Sequence, residues 1–219
     1  LCAWLDSLGA NVVGLSDTIP TTPSNFEVSK VADYIEDLRV DICDKEKVKT
    51  TILNCQPDFV FHLAAQALVR PSYEEPVDTM MVNAIGTANV LDALRYTDKK
   101  VVAIMITSDK AYDNVEWVWG YRETDSLGGK DPYSASKGMA ELVIKSFVES
   151  YFKKEGSKVL VGITRAGNVI GGGDWARDRI VPDCMKAWST KKSVDIRSPN
   201  ALTMQLDLGS MCSNLYLAI

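Results

Sequence analysis

The sequence predicts an α/β fold: a doubly wound parallel sheet with helices on both faces, plus part of a smaller C-terminal region. Two observations carry this prediction. Four near-continuous apolar runs, "ANVVGLS" (10–16), "DFVFHLA" (58–64), "KVVAIMIT" (100–107) and "KVLVGIT" (158–164), read as strands buried on both faces. Amphipathic segments lie between them, at about Lys45–Cys55, 77–95 and 132–154. Strands alternating with helices in this way build parallel sheets. At 219 residues, 46% hydrophobic and 24% charged, the chain suffices for one large domain or one domain plus part of another. The predicted division is a sheet domain over 1–165 and part of a second region over 166–219.

Taken in order, "LCAWLDSLGANVVGLS" reads as the end of a helix, a turn at Gly9 and a strand. A dinucleotide fold starts one element earlier, with a strand and a glycine-rich turn whose amides hold a pyrophosphate. The chain also starts without Met and stops at Ile219 in what reads as a helix. The expectation is therefore a fragment of a longer protein. Each later apolar run ends in polar or small residues: Ser16-Asp17, His62-Leu63-Ala64-Ala65, Ser108-Asp109-Lys110 and Arg165-Ala166-Gly167-Asn168. Ligands of open α/β sheets bind beyond the carboxyl ends of the strands. Four such ends on one rim predict a site rather than four unrelated turns. Pro132 suits the first turn of the last long helix, and Asp131 its cap.

Composition excludes several classes of function. With 24 Lys and Arg against 29 Asp and Glu, the net charge is −5 and no basic stripe exists to meet a nucleic acid. Lys153-Lys154 and Lys191-Lys192 read as solvated faces. No apolar run approaches the roughly 20 residues of a membrane span, and no signal-peptide pattern opens the chain. The five cysteines are odd in number and lack CxxC spacing, which suits buried thiols in a reducing cytoplasm. His62 is the only histidine, so no histidine-based metal site is expected. Its place at the end of an apolar run favours a structural role over membership of a Ser-His-Asp triad.

"DPYSASKGMAELV" sets Tyr133 four residues before Lys137 on a predicted helix, with both side chains on one face. An ammonium near a phenol favours the phenolate. A tyrosine so tuned exchanges a proton with a substrate hydroxyl while hydride moves to a nicotinamide. Such a pair alone is usually structural, but here it follows an apolar strand that ends in Ser108 and completes a Ser-Tyr-Lys set.

At this point the residues resemble a known family, the extended short-chain dehydrogenase/reductases, a Rossmann-like group. The marks are "VFHLAAQ" (60–66), "VNAIGT" (82–87), "ITSDKAY" (106–112) and "YSASK" (133–137). Longer stretches, "TSDKAYDNVEWVWGYRETDSLGGKDPYSASKGMAEL" and "RAGNVIGGGDWARDRIVPD", are similar to the branch of 4,6-dehydratases that acts on CDP-glucose. That branch makes the 4-keto-6-deoxy sugar of bacterial dideoxyhexoses. The resemblance covers about residues 1–199. It implies that Tyr133 takes the C4 hydroxyl proton as hydride passes to NAD, that water then leaves across C5 and C6, and that the hydride returns to C6. Asp109 matches the family's acid. Lys110 stands where related dehydratases carry Glu, and acts either as the base at C5 or as a stabiliser of the enolate. A salt-bridged turn is the bland alternative for this pair.

The same resemblance implies cofactor contacts at Ser16 or Asp17 (adenosine ribose), Asp41 and Ile42 (adenine), Leu63, Ala64 and Ala65 (close backbone), and Thr107, Tyr133 and Lys137. Asn83 fits the family asparagine that supports the active-site water and lysine. An acid at position 17 would repel a 2′-phosphate, so NAD is expected over NADP. Gln66, Arg70, Asn168 with Gly171-Gly172-Gly173, Arg177, Arg179 and Arg197 are expected on the side of the nucleotide sugar, because guanidinium forks bind phosphate oxygens bidentately. Residues after Ala201 depart from the family pattern, where an arginine and a histidine are expected. The helical segments 77–95 and 132–154 are candidates for a homodimer or higher homo-oligomer face. Competing readings are a nucleotide-sugar 4-epimerase or reductase, and an inactive remnant of the fold.

Overall fold

A computed structural model describes residues 1–196 and the short strand Gln205–Asp207. Arg197, Cys212 and the divergent residues 202–204 lie outside the described residues. The strands pair in three parallel sets: β1 (Val13–Ser16) with β2 (Glu36–Arg39), β3 (Phe59–His62) with β4 (Val101–Ser108) and β5 (Val159–Ala166), and β6 (Asn168–Ile170) with β7 (Gln205–Asp207). They belong to two compact units, Leu1–Arg39 with the described residues from Gly167 on, and Val40–Ala166.

In the first unit, α1 (Cys2–Ser7) leads through Gly9, whose φ of +84° suits a residue without Cβ, into β1. Ser24 caps helix α2 (Asn25–Val28): its Oγ accepts the Glu27 N–H at 3.1 Å and donates to Glu27 Oε2 at 2.9 Å. Strand β2, "EDLR", carries only one apolar side chain, so hydrophobic patterning does not reveal it. It forms because β1 offers a parallel partner, with Leu15 opposite Leu38.

The second unit holds the larger sheet. Strand β4 lies between β3 and β5, with Val101, Ala103, Ile104, Met105 and Thr107 buried. Strand β5 pairs on one side only among the described residues and leaves Leu160 67% exposed, unlike the fully buried strand that its apolar run predicts. Helix α3 (Lys45–Cys55) occupies the predicted span, capped by Asp44, which accepts the Lys47 N–H at 3.2 Å. Two short helices, α4 (Val69–Glu74) and α5 (Pro76–Met80), come next. The helix predicted over 77–95 is one path in three parts: α5, a π-helical stretch Met81–Gly86, and α6 (Thr87–Leu94). Gly86 meets Ile42, where a Cβ would sit 2.5 Å from Ile42 Cδ1, so any larger residue would have to push that side chain aside. Helix α7 (Pro132–Phe147) continues through a second π-helical stretch, Val148–Phe152. Its buried face packs on α5, α6 and β4. Leu91, Leu94, Met105 and Ile144 form the fully buried centre. Helix α8 (Ile180–Ser189) belongs to the first unit.

Candidate functional site

The site in the second unit begins where β4 ends. Ser108 caps a 3₁₀ turn, Asp109–Ala111: its Oγ accepts the Lys110 N–H at 3.2 Å and donates to Asp109 Oδ1 at 3.0 Å. The capping serine thus also orients the neighbouring carboxylate, while the Lys110 side chain is exposed. The chain then makes a long excursion and returns on itself. Tyr112 bridges Leu127, the Asp113 N–H donates to the Ser126 carbonyl at 2.9 Å, and the Gly128 N–H donates to the Ala111 carbonyl at 3.0 Å. Trp117, Trp119, Gly120, Arg122 and Asp125 line a cleft of about 430 Å³ on this excursion. At its end Gly129 lies so close to α7 that a Cβ would approach Ala135 N to 2.2 Å.

That return delivers the helix carrying Tyr133 and Lys137. Asp131 caps α7, accepting the Ser134 N–H at 2.9 Å and its hydroxyl at 2.6 Å, and Pro132 occupies the first turn. Tyr133 and Lys137 are both buried, and the Lys137 Nζ lies 5.9 Å from the centre of the Tyr133 ring. The helix packs directly on the Asp109–Ala111 turn. The elements carrying Ser108, Asp109, Lys110, Tyr133 and Lys137, spread over 30 positions in sequence, are thereby brought together at the end of β4. Burial lowers the Lys137 pKa to about 8, because the charged form loses its hydration.

A buried polar network stands behind these groups. His62 closes β3 with its Nε2 2.9 Å from Thr87 Oγ1, and Thr87 donates its own proton to the Asn83 carbonyl at 2.7 Å. The imidazole is therefore the donor in the first bond and is neutral: burial, then the charge of Lys137, lowers its pKa to about 4. The Asn83 amide donates to the Gln66 carbonyl at 3.0 Å and to Ser136 Oγ at 2.8 Å, and its Oδ1 accepts the Gln66 N–H at 2.8 Å. Ser136 in turn donates to the Tyr133 carbonyl at 2.6 Å. Asn83 reaches both the segment after β3 and the first turn of α7 from the π-helical stretch, whose wider turn breaks the regular ladder there. Sequence reasoning identified Asn83, but not Ser136 or Thr87.

The other expected residues divide between the two units. Leu63 is exposed, Ala64 and Ala65 half-buried, after β3. The Gln66 side chain turns inward to Leu68 and Thr79, with three contacts of 2.6–3.0 Å, and Arg70 is exposed on α4. Asp41 is exposed and accepts the Cys43 N–H at 2.8 Å, whereas Ile42 packs its side chain inward on Gly86. Thr107 is buried and donates to Glu141 at 2.6 Å. In the first unit, Ser16 ends β1 and donates to the Thr18 carbonyl at 3.0 Å, and Asp17 accepts the Thr18 N–H at 2.6 Å. Asn168 starts β6. Gly173 adopts a φ of +76° against Asn25, where a Cβ would approach to 2.6 Å. Arg177 is exposed, while Arg179 is half-buried at the start of α8, its buried Nε without a hydrogen-bond partner among the described residues. That difference separates two arginines that the sequence leaves equivalent. Among the described residues, no group of three or more His, Cys, Asp or Glu is placed to hold a metal, and no helix is long and apolar enough to cross a membrane.

The sequence profile of the GDP-mannose 4,6 dehydratase family matches residues 2–163. The chain belongs to this family. It is 46% identical over 205 residues to the CDP-glucose 4,6-dehydratase of Salmonella typhimurium, across 92% of this chain and 57% of that protein. It is 27% identical over 158 residues to the dTDP-glucose 4,6-dehydratase of Mycolicibacterium smegmatis, across 66% of this chain and 46% of the relative. The chain thus spans about half the length of the curated relatives it matches. Among solved structures, the UDP-glucose 4-epimerase of Thermotoga maritima with UDP-glucose superposes with a TM-score of 0.84 at 22% identity, covering 99% of this chain and 68% of that one. The Thermus thermophilus UDP-glucose 4-epimerase in complex with NAD gives a TM-score of 0.81 at 26% identity, with the same coverage. The fold is therefore the Rossmann-like α/β fold that the strand–helix alternation predicts.

Proposed function

We propose that the protein is an NAD-dependent CDP-glucose 4,6-dehydratase, a hydro-lyase converting CDP-D-glucose to CDP-4-dehydro-6-deoxy-D-glucose in deoxysugar synthesis. One observation supports this most directly: an acid and an amine, Asp109 and Lys110, follow β4 in a turn packed against the helix of Tyr133 and Lys137. Oxidation at C4 alone requires only the tyrosine and lysine. Elimination of water needs an acid at the departing hydroxyl and a group at C5 in addition.

In this reading Tyr133 accepts the proton of the C4 hydroxyl, and Lys137 beside it favours the phenolate. Ser108 holds the substrate hydroxyl in line and, through its bond to the Asp109 carboxyl, orients that acid toward C6. Lys110 faces C5, where it takes the proton or stabilises the enolate. Bound NAD supplies the hydride acceptor for C4 and the donor for C6. The residues fit that cofactor: Asp17 is an exposed carboxylate after β1, matched to a ribose diol and repelling a 2′-phosphate, and Ala64 and Ala65 leave the backbone after β3 approachable. Asp41, Ile42, Leu63 and Thr107 complete the cofactor side. Asn83 and Gln66, with their amides engaged internally, serve by bracing the site. Asn168, Arg70, Arg177 and Arg179 are assigned to the nucleotide sugar, with Arg179 the main diphosphate ligand.

The proposed organisation is an NAD-binding domain over 1–165 and a sugar-nucleotide region from 166 on. A homodimer is also proposed. Tyr73, Val77, Met81 and Ile85 recur every four residues and are exposed, as are Met139 and Leu142 on α7. This apolar stripe suits a second copy of the same face. Four free cysteines among the described residues suit a reducing, cytoplasmic setting.

The test is incubation with NAD and CDP-glucose, followed by mass spectrometry of the sugar nucleotide. Loss of one water without net NADH is expected. Unchanged mass with inverted C4 stereochemistry would make the protein an epimerase. Lys110→Met should retain C4 oxidation, seen as transient NADH absorbance, and lower the elimination rate by about 10²–10⁴-fold. Elimination at the normal rate in that variant would remove Lys110 from the mechanism.

A further inference from the structure

Glu141 and Arg165 have no part in the chemistry above, yet they tie α7 to the ends of β4 and β5. Glu141 lies on α7 four residues past Lys137 and eight past Tyr133, on the same side of the helix, and is 3% exposed. Thr107 and Arg165 are register partners on β4 and β5, one position before Ser108 and Ala166. The Glu141 carboxylate spans both. Its Oε1 accepts the Thr107 hydroxyl at 2.6 Å and the Arg165 Nε–H at 2.7 Å, and its Oε2 accepts from Arg165 Nη2 at 2.7 Å. The same guanidinium donates through Nη1 to the Glu123 carbonyl at 3.2 Å and lies 4.5 Å over the Tyr112 ring. Tyr112 stacks on Tyr121 at 5.0 Å, and Tyr121 packs against Trp117 at 5.3 Å.

A buried ion pair of this kind is often replaceable by apolar side chains without loss of stability. Stability is therefore a weak explanation for it. What a bidentate fork does supply is a single permitted geometry. Resting on the dehydratase reading, we infer that Glu141 and Arg165 are positioning residues. Their pair sets the register of α7 across the ends of β4 and β5, and hence the approach of Tyr133 and Lys137 to Ser108, Asp109 and Lys110. Through Tyr112 and Glu123, Arg165 also holds the excursion after Lys110 against the sheet end.

The discriminating variant is the apolar pair Glu141→Met with Arg165→Met. Its melting temperature should stay near that of the wild-type protein while kcat falls by about 100-fold, the scale of a misplacement of about 1 Å, with KM little changed. Wild-type kcat in the stable double variant would overturn the inference. Should the double variant not fold, Arg165→Lys decides: it keeps the charge and loses the fork, so low kcat at an unchanged folded fraction supports positioning and wild-type kcat refutes it. A second readout needs no turnover. Lys137, whose neighbours include Tyr133 and His62, should titrate near 8 in the wild-type protein by NMR of ¹³C-methylated lysines, and toward its ordinary value in the variants as α7 shifts and water reaches it. If CDP-glucose is not converted at all, the dehydratase reading fails, and an unmoved Lys137 titration would then overturn the positioning role on its own.

Discussion

The front of α7 and the glycine segment 171–179 are both assigned to one reaction, and they are built in opposite ways. Along α7, Tyr133, Ser134, Ser136, Lys137, Gly138, Ala140 and Glu141 are all buried, and Asn83, Thr107 and Arg165 reach them from three other stretches of chain. In the glycine segment, Gly171 to Trp175 and Arg177 are exposed. Its shape rests on the left-handed backbone of Gly173, on the Asp174 carboxylate accepting the Ala176 N–H at 3.0 Å, and on Lys186 donating to the Trp175 carbonyl at 3.3 Å. The contrast suits the two tasks proposed for them. Proton transfer needs a preset distance and a dry environment that moves a pKa. Binding a diphosphate needs long cations that keep their charge, and these work at the edge of the water.

Substitutions at the buried end should act on rate and on the pH dependence of folding, and those at the open end on affinity. The largest effect is expected for Tyr133→Phe, which removes the proposed proton acceptor and keeps the ring. Its kcat should fall by about 10²–10⁴-fold with an unchanged far-UV spectrum and melting temperature. A drop in melting temperature that explains the lost rate would mean the phenol is structural.

Next come the two buried bases. His62 has a folded pKa of about 4, below its ordinary 6.5, so the unfolded chain takes up a proton that the folded one refuses. Stability is complete above pH 6.5 and is lost as pH falls toward 4, by about 3 kcal/mol at the limit. Urea unfolding at pH 7 and pH 4.5 measures this loss, and His62→Gln should flatten it. Lys137 has the same sign in a higher window. Its folded pKa of about 8 lies below its ordinary 10.5, so the folded state is penalised below pH 8 and recovers as pH rises to 10.5. Lys137→Met should therefore be inactive yet more stable at pH 7, by about 3 kcal/mol at most. A variant less stable than the wild-type protein would show that the ammonium has a compensating partner.

The smallest effect belongs to the open end. Arg179→Ala should raise KM for CDP-glucose by about tenfold, the scale of one charged hydrogen bond, and leave kcat near wild type. Arg177→Ala should do less, since Arg177 lies at the exposed surface. Equal effects would erase the distinction drawn from the burial of Arg179 Nε.

Much of this was legible in the sequence, and unevenly so. The runs that became β3, β4 and β5 are rich in Val, Ile and Phe, and burial of such runs between helices leaves few other solutions. Asp131-Pro132 marked the start of α7, because capping and a fixed φ are local physics. Tyr133 and Lys137 were legible for the same reason, since a spacing of four residues is a property of one helix. By contrast, β2 is polar and exists through its partner, and the helix over 77–95 gave no sign of its π-helical middle. Glu141 shows no sign of its buried partners in the sequence, although it is four residues past Lys137.

Sequence by itself therefore determined the class of fold and the alternation of elements, which rest on local burial, and marked through its motifs the residues proposed to carry the chemistry. Only the tertiary structure decided that Ser108 orients Asp109 while capping its turn, that Asn83 ties the segment after β3 to α7, and that Glu141 meets Thr107 and Arg165 across two strands. Partners separated by 17 to 53 positions, as in the Asn83 bonds, leave no periodic mark on a chain, because their pairing is selected by packing and not by spacing.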